Sequence, residues 1–319
     1  MALVLTVDER AWRERVGTVA GRLGDRLVPV VKGNGYGFGR PALAHIADDL
    51  GVAEVAVGTV AELLPHLRPV QHVLTPALDA HLDAVPPDAV LTVGSAAQLA
   101  AAHDHRGPVA LKLRSSMRRY GATPGELPEL LDGFALAGRV PHAFVLHLPL
   151  AGSDDDRIAE IEQWLPALPP SVAAPLSVSH LTVDRFDALC ASHPERDWRL
   201  RVGTALWHGR KGELHLGADV IEVRPIAAGE PAGYRLTPAP AAGRLVLVGA
   251  GSAHGVAPLP DGRSPFHFAR NRLALLESPH MHTSMCFVPD GEPCPGVGEV
   301  VDVQRPLTQS FADRTLWIR

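Results

Sequence analysis

The first two-thirds of the chain alternates short β-branched segments with longer segments rich in Ala and Leu. This alternation is typical of repeated strand–helix units on a parallel sheet, and eight strands are the number that closes a (β/α)8 TIM-type barrel. A doubly wound open sheet has a similar pattern, so the periodicity leaves both architectures open. Eight strands are predicted, at residues 28–32, 54–58, 72–76, 89–94, 109–114, 142–148, 175–180 and 197–203.

The pattern changes after residue 205. Short apolar segments punctuated by Gly and Pro replace the long helical segments, as in LVLVGAGSAHGV and HMHTSMCFV. Such a pattern indicates a β domain. We therefore predict a barrel domain over residues 1–205, followed by a smaller C-terminal β domain over 206–319. The first strand of the chain could pair with that second domain.

Composition narrows the classes of function. The 319 residues are 46% hydrophobic and 20% charged, and the net charge of −5 is spread without long runs of one sign. We therefore expect neither a nucleic acid nor a membrane as partner, and the charged N-terminus favours a cytoplasmic protein. The three cysteines, Cys190, Cys286 and Cys294, are an odd number without C-x-x-C spacing. This predicts unpaired thiols and no bound metal.

Charged and titratable residues end several of the predicted barrel strands. Because the carboxyl ends of parallel strands meet at one mouth of a barrel, we expect these side chains to converge there. Several buried cations in one place favour an anionic ligand such as a phosphate ester. The residues are Lys32, Lys112, His147, His180 and Arg201.

The segment VVKGNGYGFG places a lysine at the end of an apolar strand and glycines at alternate positions after it. It lacks the G-x-x-x-x-G-K-[ST] pattern of a phosphate-binding P-loop. It resembles the pyridoxal phosphate (PLP) attachment motif of alanine racemases and related fold-type III PLP enzymes, with Lys32, Asn34, Tyr36, Gly37 and Gly39 in register. The resemblance implies that Lys32 carries PLP as a Schiff base and that Tyr36 helps to bind it.

Two further segments resemble the same family. In VALKLRSSMRRYGAT, Lys112 corresponds to a lysine that is often carbamylated, and Arg119 to an arginine that contacts cofactor and substrate. The family's Asp-Thr-Gly is replaced here by the residues at 114–116, which read Arg-Ser-Ser. The segment RVGTALWHG implies that backbone N–H groups of Gly203 and Thr204 bind the cofactor phosphate.

The resemblance also implies roles for His147 and His180 in cofactor binding and for Arg201 at the pyridine nitrogen. A guanidinium does not give up its proton, so Arg201 would keep that nitrogen unprotonated and weaken the ring as an electron sink. In the family this arrangement accompanies racemisation, whereas the related decarboxylases place a glutamate there. The domain order also corresponds, since these racemases carry a small β domain after the barrel.

The sequence departs from the family at the second acid/base group. Racemisation needs such a group on each face of the reacting carbon, and in alanine racemases the second is a tyrosine from the partner subunit's β domain. The corresponding segment here, residues 247–256, contains no tyrosine, and its one titratable residue is His254. We predict His254 as the second base, with Tyr120 and Tyr234 as alternatives. The chain therefore resembles a divergent member that lacks the usual catalytic tyrosine and forms a homodimer with shared active sites.

The segment SPHMHTSMCFV resembles the family's Ser-Met-Asp stretch near the substrate carboxylate. Met285 is in place, and Cys286 stands where the Asp is expected. His280 and His282 lie two residues apart on a predicted strand, so a metal site with Cys286 is an alternative, although no fourth ligand is evident.

These features predict a PLP-dependent isomerase, an alanine-racemase-like enzyme that removes and returns the Cα proton of a small amino acid. A PLP-dependent lyase or decarboxylase on the same fold, or a non-catalytic PLP-binding protein, is the alternative.

Overall fold

The computed structural model describes residues 2–76 and 85–319. The chain forms two compact units. The barrel unit comprises Val16–Gly33 and Arg40–Trp207, and the β unit comprises the N-terminal residues up to Arg15, Asn34–Gly39 and His208–Arg319. Two short segments from the N-terminal half therefore belong to the β unit, in addition to the C-terminal part that begins close to the predicted boundary.

Up to residue 207 most strands are followed by a helix, as the β-branched and Ala/Leu-rich segments predict. The elements are β1 (Leu3–Asp8), α1 (Glu9–Leu23), β2 (Leu27–Pro29), α2 (Arg40–Asp49), β3 (Glu54–Val57), β4 (Val70–Val73), β5 (Leu91–Val93), α3 (Ala96–Ala101), β6 (Val109–Leu113), α4 (Leu127–Leu136), β7 (Phe144–Leu146), α5 (Asp154–Trp164), β8 (Leu176–Ser179), α6 (Val183–Ser192), β9 (Trp198–Val202) and α7 (Thr204–Trp207).

Strands β2 to β9 form a closed parallel ring within the described residues. Six of them pair in the order β2-β9-β8-β7-β6-β5, and β3 pairs with β4. Single bridges, Val30 with Ala56 and His72 with Val90, join the two groups. An open doubly wound sheet would leave two edges unpaired, so the ring confirms the (β/α)8 TIM-type barrel. Each of these eight strands overlaps one of the predicted segments.

The local sequence explains how α5 begins. The acidic run at the start of α5 follows Ser153, whose hydroxyl accepts a hydrogen bond from the Asp156 N–H while the Asp156 carboxylate accepts one from the Ser153 N–H. This capping box satisfies backbone donors that the first turn leaves free. The carboxylates also lie where the helix dipole favours negative charge.

The β unit is built around one mostly antiparallel sheet. Its strands are β10 (Leu214–Ile226), β11 (Pro231–Ala232), β12 (Thr237–Pro238), β13 (Gly243–Val248), β14 (Phe266–Phe268), β15 (Asn271–Arg272), β16 (Ala274–Leu275), β17 (Ser284–Pro289), β18 (Val300–Val303) and β19 (Arg314–Ile318). The order is β15-β14-β18-β10-β13-β17-β16, with β11 and β12 in a separate pair. Strand β1 joins this sheet, antiparallel to β10 and parallel to β19.

A buried polar network lies at the amino-terminal end of the barrel. Glu54, the first residue of β3, accepts from His72 at 2.9 Å, from His142 at 2.8 Å and from Arg199 at 2.6 Å. His72 continues the network to the Thr92 hydroxyl at 2.9 Å. Burial acts to raise the pKa of the Glu54 carboxyl, but the two histidine hydrogen bonds outweigh it and the pKa lies well below its ordinary value. The carboxylate therefore stays charged and compensated.

Candidate active site

The strand-end residues singled out in the sequence lie at one end of the barrel. Lys32 follows β2, and Lys112 is the last residue but one of β6. His147 and His180 directly follow β7 and β8. Arg201 lies near the end of β9. These groups are within electrostatic range of one another, because Arg201 lowers the pKa of both lysines and of both histidines. The barrel therefore brings the five predicted groups together.

The Lys32 amine is accessible and easier to deprotonate than an ordinary lysine. Its side chain is exposed to solvent, yet partial loss of hydration lowers its pKa, and the charges of Arg119 and Arg201 lower it further. Glu62 acts in the opposite direction. An accessible amine with a lowered pKa can attack a carbonyl carbon and can also act as a base.

Arg201 is held rigidly inside the barrel. It is 3% exposed and donates to the Ser177 carbonyl at 2.6 Å, to the Ser177 hydroxyl at 2.7 Å and to the Leu146 carbonyl at 2.8 Å. Burial lowers the pKa of Arg201 to about 10, and the charges of Glu54 and Tyr120 act to raise it. The guanidinium therefore stays protonated at neutral pH and does not serve as a proton donor.

The two histidines form a pair beside Ser179. Their rings are T-shaped with centroids 4.8 Å apart, and the Ser179 hydroxyl lies 3.0 Å from Nδ1 of His147 and 3.2 Å from Nδ1 of His180. Burial, with Arg201 and Lys112 nearby, lowers the pKa of His147 to about 2. Burial also lowers the pKa of His180. Both rings are therefore neutral at physiological pH, so each can donate a hydrogen bond without adding positive charge.

Lys112 and Arg119 complete the cationic group around Tyr120. Lys112 is 5% exposed, and burial together with Arg201 and Arg119 lowers its pKa well below the ordinary value. Its Nζ lies 5.9 Å from the centroid of the Tyr120 ring, and the Arg119 Cζ lies 5.2 Å from the same centroid. The sequence predicts Tyr120 as an alternative base, and the structure places its ring near the side chains of Lys112 and Arg119.

Sequence reasoning missed the buried serines that support the site. Ser177 anchors Arg201, and Ser179 contacts both histidines. A signal for them existed, since the two serines alternate in the strand segment LSVS and must therefore face the same side of β8. Two hydroxyls on the interior face of an otherwise apolar strand indicate polar partners inside the barrel.

The predicted phosphate-binding residues lie where β9 turns into a helix. Gly203 separates β9 from α7, and Thr204 is the first residue of α7. Trp207, at the end of α7, stabilises this region, since its Nε1 donates a hydrogen bond to the Val30 carbonyl at 2.7 Å. Binding of the cofactor phosphate by the backbone N–H groups of these two residues stays a prediction.

Tyr36 lies in the β unit, in a 3₁₀ turn spanning Gly35–Gly37. It is buried with φ of 55°, and its carbonyl accepts a hydrogen bond from His208 Nε2 at 2.8 Å. Gly37 has φ of 93°, and a Cβ there would lie 3.1 Å from the Leu307 carbonyl oxygen. Only glycine adopts this conformation without strain at such a close approach. The Tyr36 role in cofactor binding stays a prediction.

His254, predicted as the second base, also lies in the β unit. Its Nδ1 accepts the Gly251 N–H at 3.0 Å, and its Nε2 lies 3.2 Å from the Asp313 carboxylate. Both ring nitrogens thus have partners, and the residue is 8% exposed. To exchange a proton with substrate, Nε2 would have to leave Asp313.

The other predicted residues of the β unit lie on β17. Met285 is half-buried, and the Ser284 hydroxyl donates to the Ala250 carbonyl at 2.6 Å. Cys286 is fully buried and burial raises the pKa of its thiol far above the ordinary value. A thiol that resists deprotonation is a poor zinc ligand. Across residues 2–76 and 85–319 no three His, Cys, Asp or Glu side chains are grouped so as to hold a metal ion.

Buried neutral histidines make stability depend on pH. We expect the free energy of unfolding of the cofactor-free protein to fall as the pH drops below about 6.5, the ordinary histidine value. Burial lowers the pKa of His72 and of His147 in the folded protein. The unfolded chain therefore takes up protons that the folded chain does not, and linkage makes stability decrease.

Urea unfolding between about pH 8 and about pH 5 checks this expectation. A His72→Gln protein should show a flatter dependence than the wild type. A matched His103→Gln protein, changed at an exposed position, should keep the wild-type slope. An unfolding free energy that stays constant across this range would contradict the assignment of neutral buried histidines.

Comparison with known proteins agrees with this geometry. Residues 7–210 match the family model described as "Alanine racemase, N-terminal domain". The alanine racemase of Salinispora tropica is 38% identical over 144 residues, which cover 41% of this chain and 38% of that protein. The alanine racemase of Brucella ovis is 26% identical over 309 residues, covering 86% of this chain and 78% of that one.

Solved structures show the same fold. The alanine racemase of Bartonella henselae, described with covalently bound pyridoxal phosphate, superposes with a TM-score of 0.74 at 19% identity and full coverage of both chains. The biosynthetic alanine racemase of Pseudomonas aeruginosa gives a TM-score of 0.73 at 20% identity, covering 100% of this chain and 99% of that one.

The fold and the site together define a class of protein. Its members have a parallel (β/α)8 barrel and a β unit, and an accessible lysine follows the first barrel strand. The chain belongs to the alanine racemase family. It is a divergent member, since the segment at 247–256 lacks the tyrosine expected there. Members of this family use pyridoxal phosphate. None of the helices in the described ranges has the length and apolar character needed to cross a membrane.

Proposed function

We propose that this protein is a PLP-dependent amino-acid racemase, which removes and returns the Cα proton of a small amino acid. The observation that carries the proposal is the pairing, at one barrel mouth, of the accessible Lys32 amine with a rigid, protonated Arg201. The family match supports the reaction class.

The residues at the mouth suit the chemistry of PLP. Arg119 and Arg201 provide positive charge for an anionic phosphate ester, and the Lys32 amine, whose pKa they lower, suits attachment to an aldehyde. Lys32 would hold the cofactor covalently. His147, His180, Gly203, Thr204 and, from the β unit, Tyr36 are proposed to bind it without covalent bonds. When bound, PLP supplies an electron sink for the pair left on Cα when its proton is removed.

Lys32 is proposed as the acid/base group on one face of Cα. With the substrate bound, the Lys32 amine would accept the Cα proton on one face and return it. The lowered pKa of Lys32 lies closer to neutral pH than the pKa of an ordinary lysine does. The accessible position of the side chain allows the small movement that this exchange requires.

Arg201 is proposed to lie against the pyridine nitrogen of the cofactor. Its hydrogen bonds to Ser177 and Leu146 fix the guanidinium, and its pKa of about 10 keeps it protonated. A group that does not release a proton cannot protonate that nitrogen, which favours short-lived charge at Cα and prompt reprotonation. This supports racemisation over decarboxylation.

Two further roles concern the second face of Cα and the binding of the substrate carboxylate. We propose His254 of the partner subunit in a homodimer with shared sites as the second acid/base group, and Arg119 and Met285 as substrate-binding residues. For His254 to act, its ring would exchange the Asp313 contact for the substrate. The absence of a tyrosine at 247–256 favours, as the second candidate function, a lyase that needs one base alone.

The test is deuterium incorporation at Cα with chiral analysis of the product. PLP-loaded protein is incubated in D₂O with L- and D-forms of alanine, serine and other small amino acids. Deuterium in the opposite enantiomer is expected for at least one substrate. Exchange with retained configuration would point to a one-base enzyme and would contradict racemisation.

The same experiment tests His254. A His254→Ala protein should lose exchange from one enantiomer more than from the other if the residue serves one face. A Met281→Ala protein, changed at an exposed neighbouring position, is the matched control and should retain both. Equal losses from the two enantiomers in His254→Ala would exclude the one-face role.

A further inference from the structure

Segment 305–311 of the β unit contacts the turn that follows Lys32 in the sequence. Asn34, two residues after that lysine, donates hydrogen bonds from its amide nitrogen to the Leu307 carbonyl at 2.7 Å and to the Ser310 carbonyl at 2.6 Å. A side-chain amide has two N–H donors, and these two carbonyls use both of them. A single side chain therefore fastens this turn to the segment.

The same segment contacts the turn that carries His254. The Phe311 N–H donates to the His254 carbonyl at 3.0 Å, and the Arg305 Nε donates to the Gly255 carbonyl at 3.1 Å. A second guanidinium nitrogen of Arg305 donates to the Gln309 side chain, within the segment, at 3.2 Å. Each end of the segment is therefore joined to this turn.

Glycines allow the close approach on both sides of the segment. A Cβ at Gly37 would lie 3.1 Å from the Leu307 carbonyl oxygen, and a Cβ at Gly255 would overlap the Gln309 carbonyl oxygen. The two glycines have φ of 93° and 74°, in the region that residues with a side chain rarely adopt. Segment 305–311 is therefore packed between two turns, in contacts that a side chain at either glycine would disrupt.

We propose that segment 305–311 is a positioning element that holds the turn after Lys32 and the turn of His254 in one fixed arrangement. Asn34 and Arg305 are its positioning residues, since their side chains make hydrogen bonds on the two sides. The consequence for catalysis rests on the proposed function, in which Lys32 acts in the site of its own subunit and His254 in that of the other. The segment then links the two active sites of a homodimer.

Hydrogen exchange followed by mass spectrometry tests the link without requiring activity. In the PLP-loaded protein, Asn34→Ala removes two hydrogen bonds to the segment, so the amides of 305–311 should exchange about tenfold faster. The amides of 254–256 should also exchange faster, although their own hydrogen bonds stay within the turn. Acceleration confined to 34–39 and 305–311 would overturn the link.

Two further asparagine variants serve as controls. Asn34→Asp keeps the size of the side chain and replaces its donor with a carboxylate, so it should accelerate exchange at least as much as Asn34→Ala. Wild-type exchange in Asn34→Asp would show that the amide does not fasten the segment. Asn271→Ala changes the other asparagine of the chain, at an exposed position of the β unit. It should leave 254–256 and 305–311 at their wild-type rates, and equal acceleration would contradict a specific link.

The reverse experiment starts from the other turn. Arg305→Gln removes the hydrogen bond to Gly255, and because coupling is reciprocal the amides of 34–39 should exchange faster. Under the proposed function, Arg305→Gln should slow Cα proton exchange from both enantiomers about tenfold, since the Lys32 and His254 turns loosen together. Slower exchange from one enantiomer alone would overturn the link. If wild-type protein exchanges no amino acid, the proposed function fails, and the amide exchange rates alone decide whether the link exists.

Discussion

Replacing Lys32 with Ala should reduce Cα proton exchange by at least about 10³-fold, because a positioned acid/base group contributes 10²–10⁴-fold and covalent attachment of the cofactor is lost as well. The reason lies in the geometry of the mouth. Lys32 is accessible and has a lowered pKa, while Lys112 is almost fully buried. Chiral analysis of exchange in D₂O measures the effect.

The small number of lysines gives this prediction a matched control. Lys211 lies in the β unit and is exposed, so Lys211→Ala should keep wild-type exchange. Since Lys32 is exposed, its replacement by Ala should leave the unfolding midpoint nearly unchanged. Full exchange by Lys32→Ala would show that another amine performs the reaction.

Replacing Arg201 with Ala should damage both stability and activity. The substitution leaves the Ser177 and Leu146 carbonyls without the guanidinium that they share inside the barrel. Each buried acceptor that loses its hydrogen-bond donor costs about 1–3 kcal/mol of unfolding free energy. If Arg201 also meets the cofactor, exchange should fall by at least about 10²-fold in the protein that remains folded.

Two variants separate these effects. Arg201→Lys keeps a positive charge but cannot reach both carbonyls as a planar fork does, so we expect partial recovery of stability and little recovery of exchange. Arg185→Ala removes an exposed arginine that pairs with Asp155 on the surface. It should cost no more than about 1 kcal/mol. Wild-type exchange rates in folded Arg201→Ala would remove Arg201 from the site.

Much of the barrel could be predicted from sequence because its signals are local. Each strand is a β-branched segment bounded by helical or turn residues, and β3, β6 and β8 are buried at every position. Strands covered on both sides become continuous apolar segments, so polar residues at their ends stand out. Lys32 and Arg201 were visible in the sequence for this reason.

The polar contacts that stabilise the interior of the barrel are not local. Glu54 meets His72, His142 and Arg199 across separations of 18, 88 and 145 residues. The hydrophobic periodicity of a sequence does not indicate such distant partners. The sequence therefore could not predict that hydrogen bonds from histidine and arginine side chains stabilise the carboxylate of Glu54. The parallel pairing of β1 with β19 joins opposite ends of the chain in the same way. Closure of the fold determines these contacts.

The position of Tyr120 shows the same limit on a smaller scale. The sequence places it beside Arg119, but neighbours in a loop do not necessarily meet, and Lys112 lies eight positions earlier in a strand. The loop conformation brings both cations to one ring. A comparison with the family's motif singles out Lys112, Arg119 and Gly121. It does not single out Tyr120, which lies between Arg119 and Gly121.

The central claim, that Lys32 carries PLP at the barrel mouth, is tested most directly by trapping the cofactor. Borohydride reduction of the PLP-loaded protein, followed by digestion and mass spectrometry, identifies the modified lysine among the three in the chain. We predict that the reduced cofactor is found on the peptide containing Lys32 and is absent from those containing Lys112 and Lys211. Recovery on either of the other two, or on none, would contradict the claim.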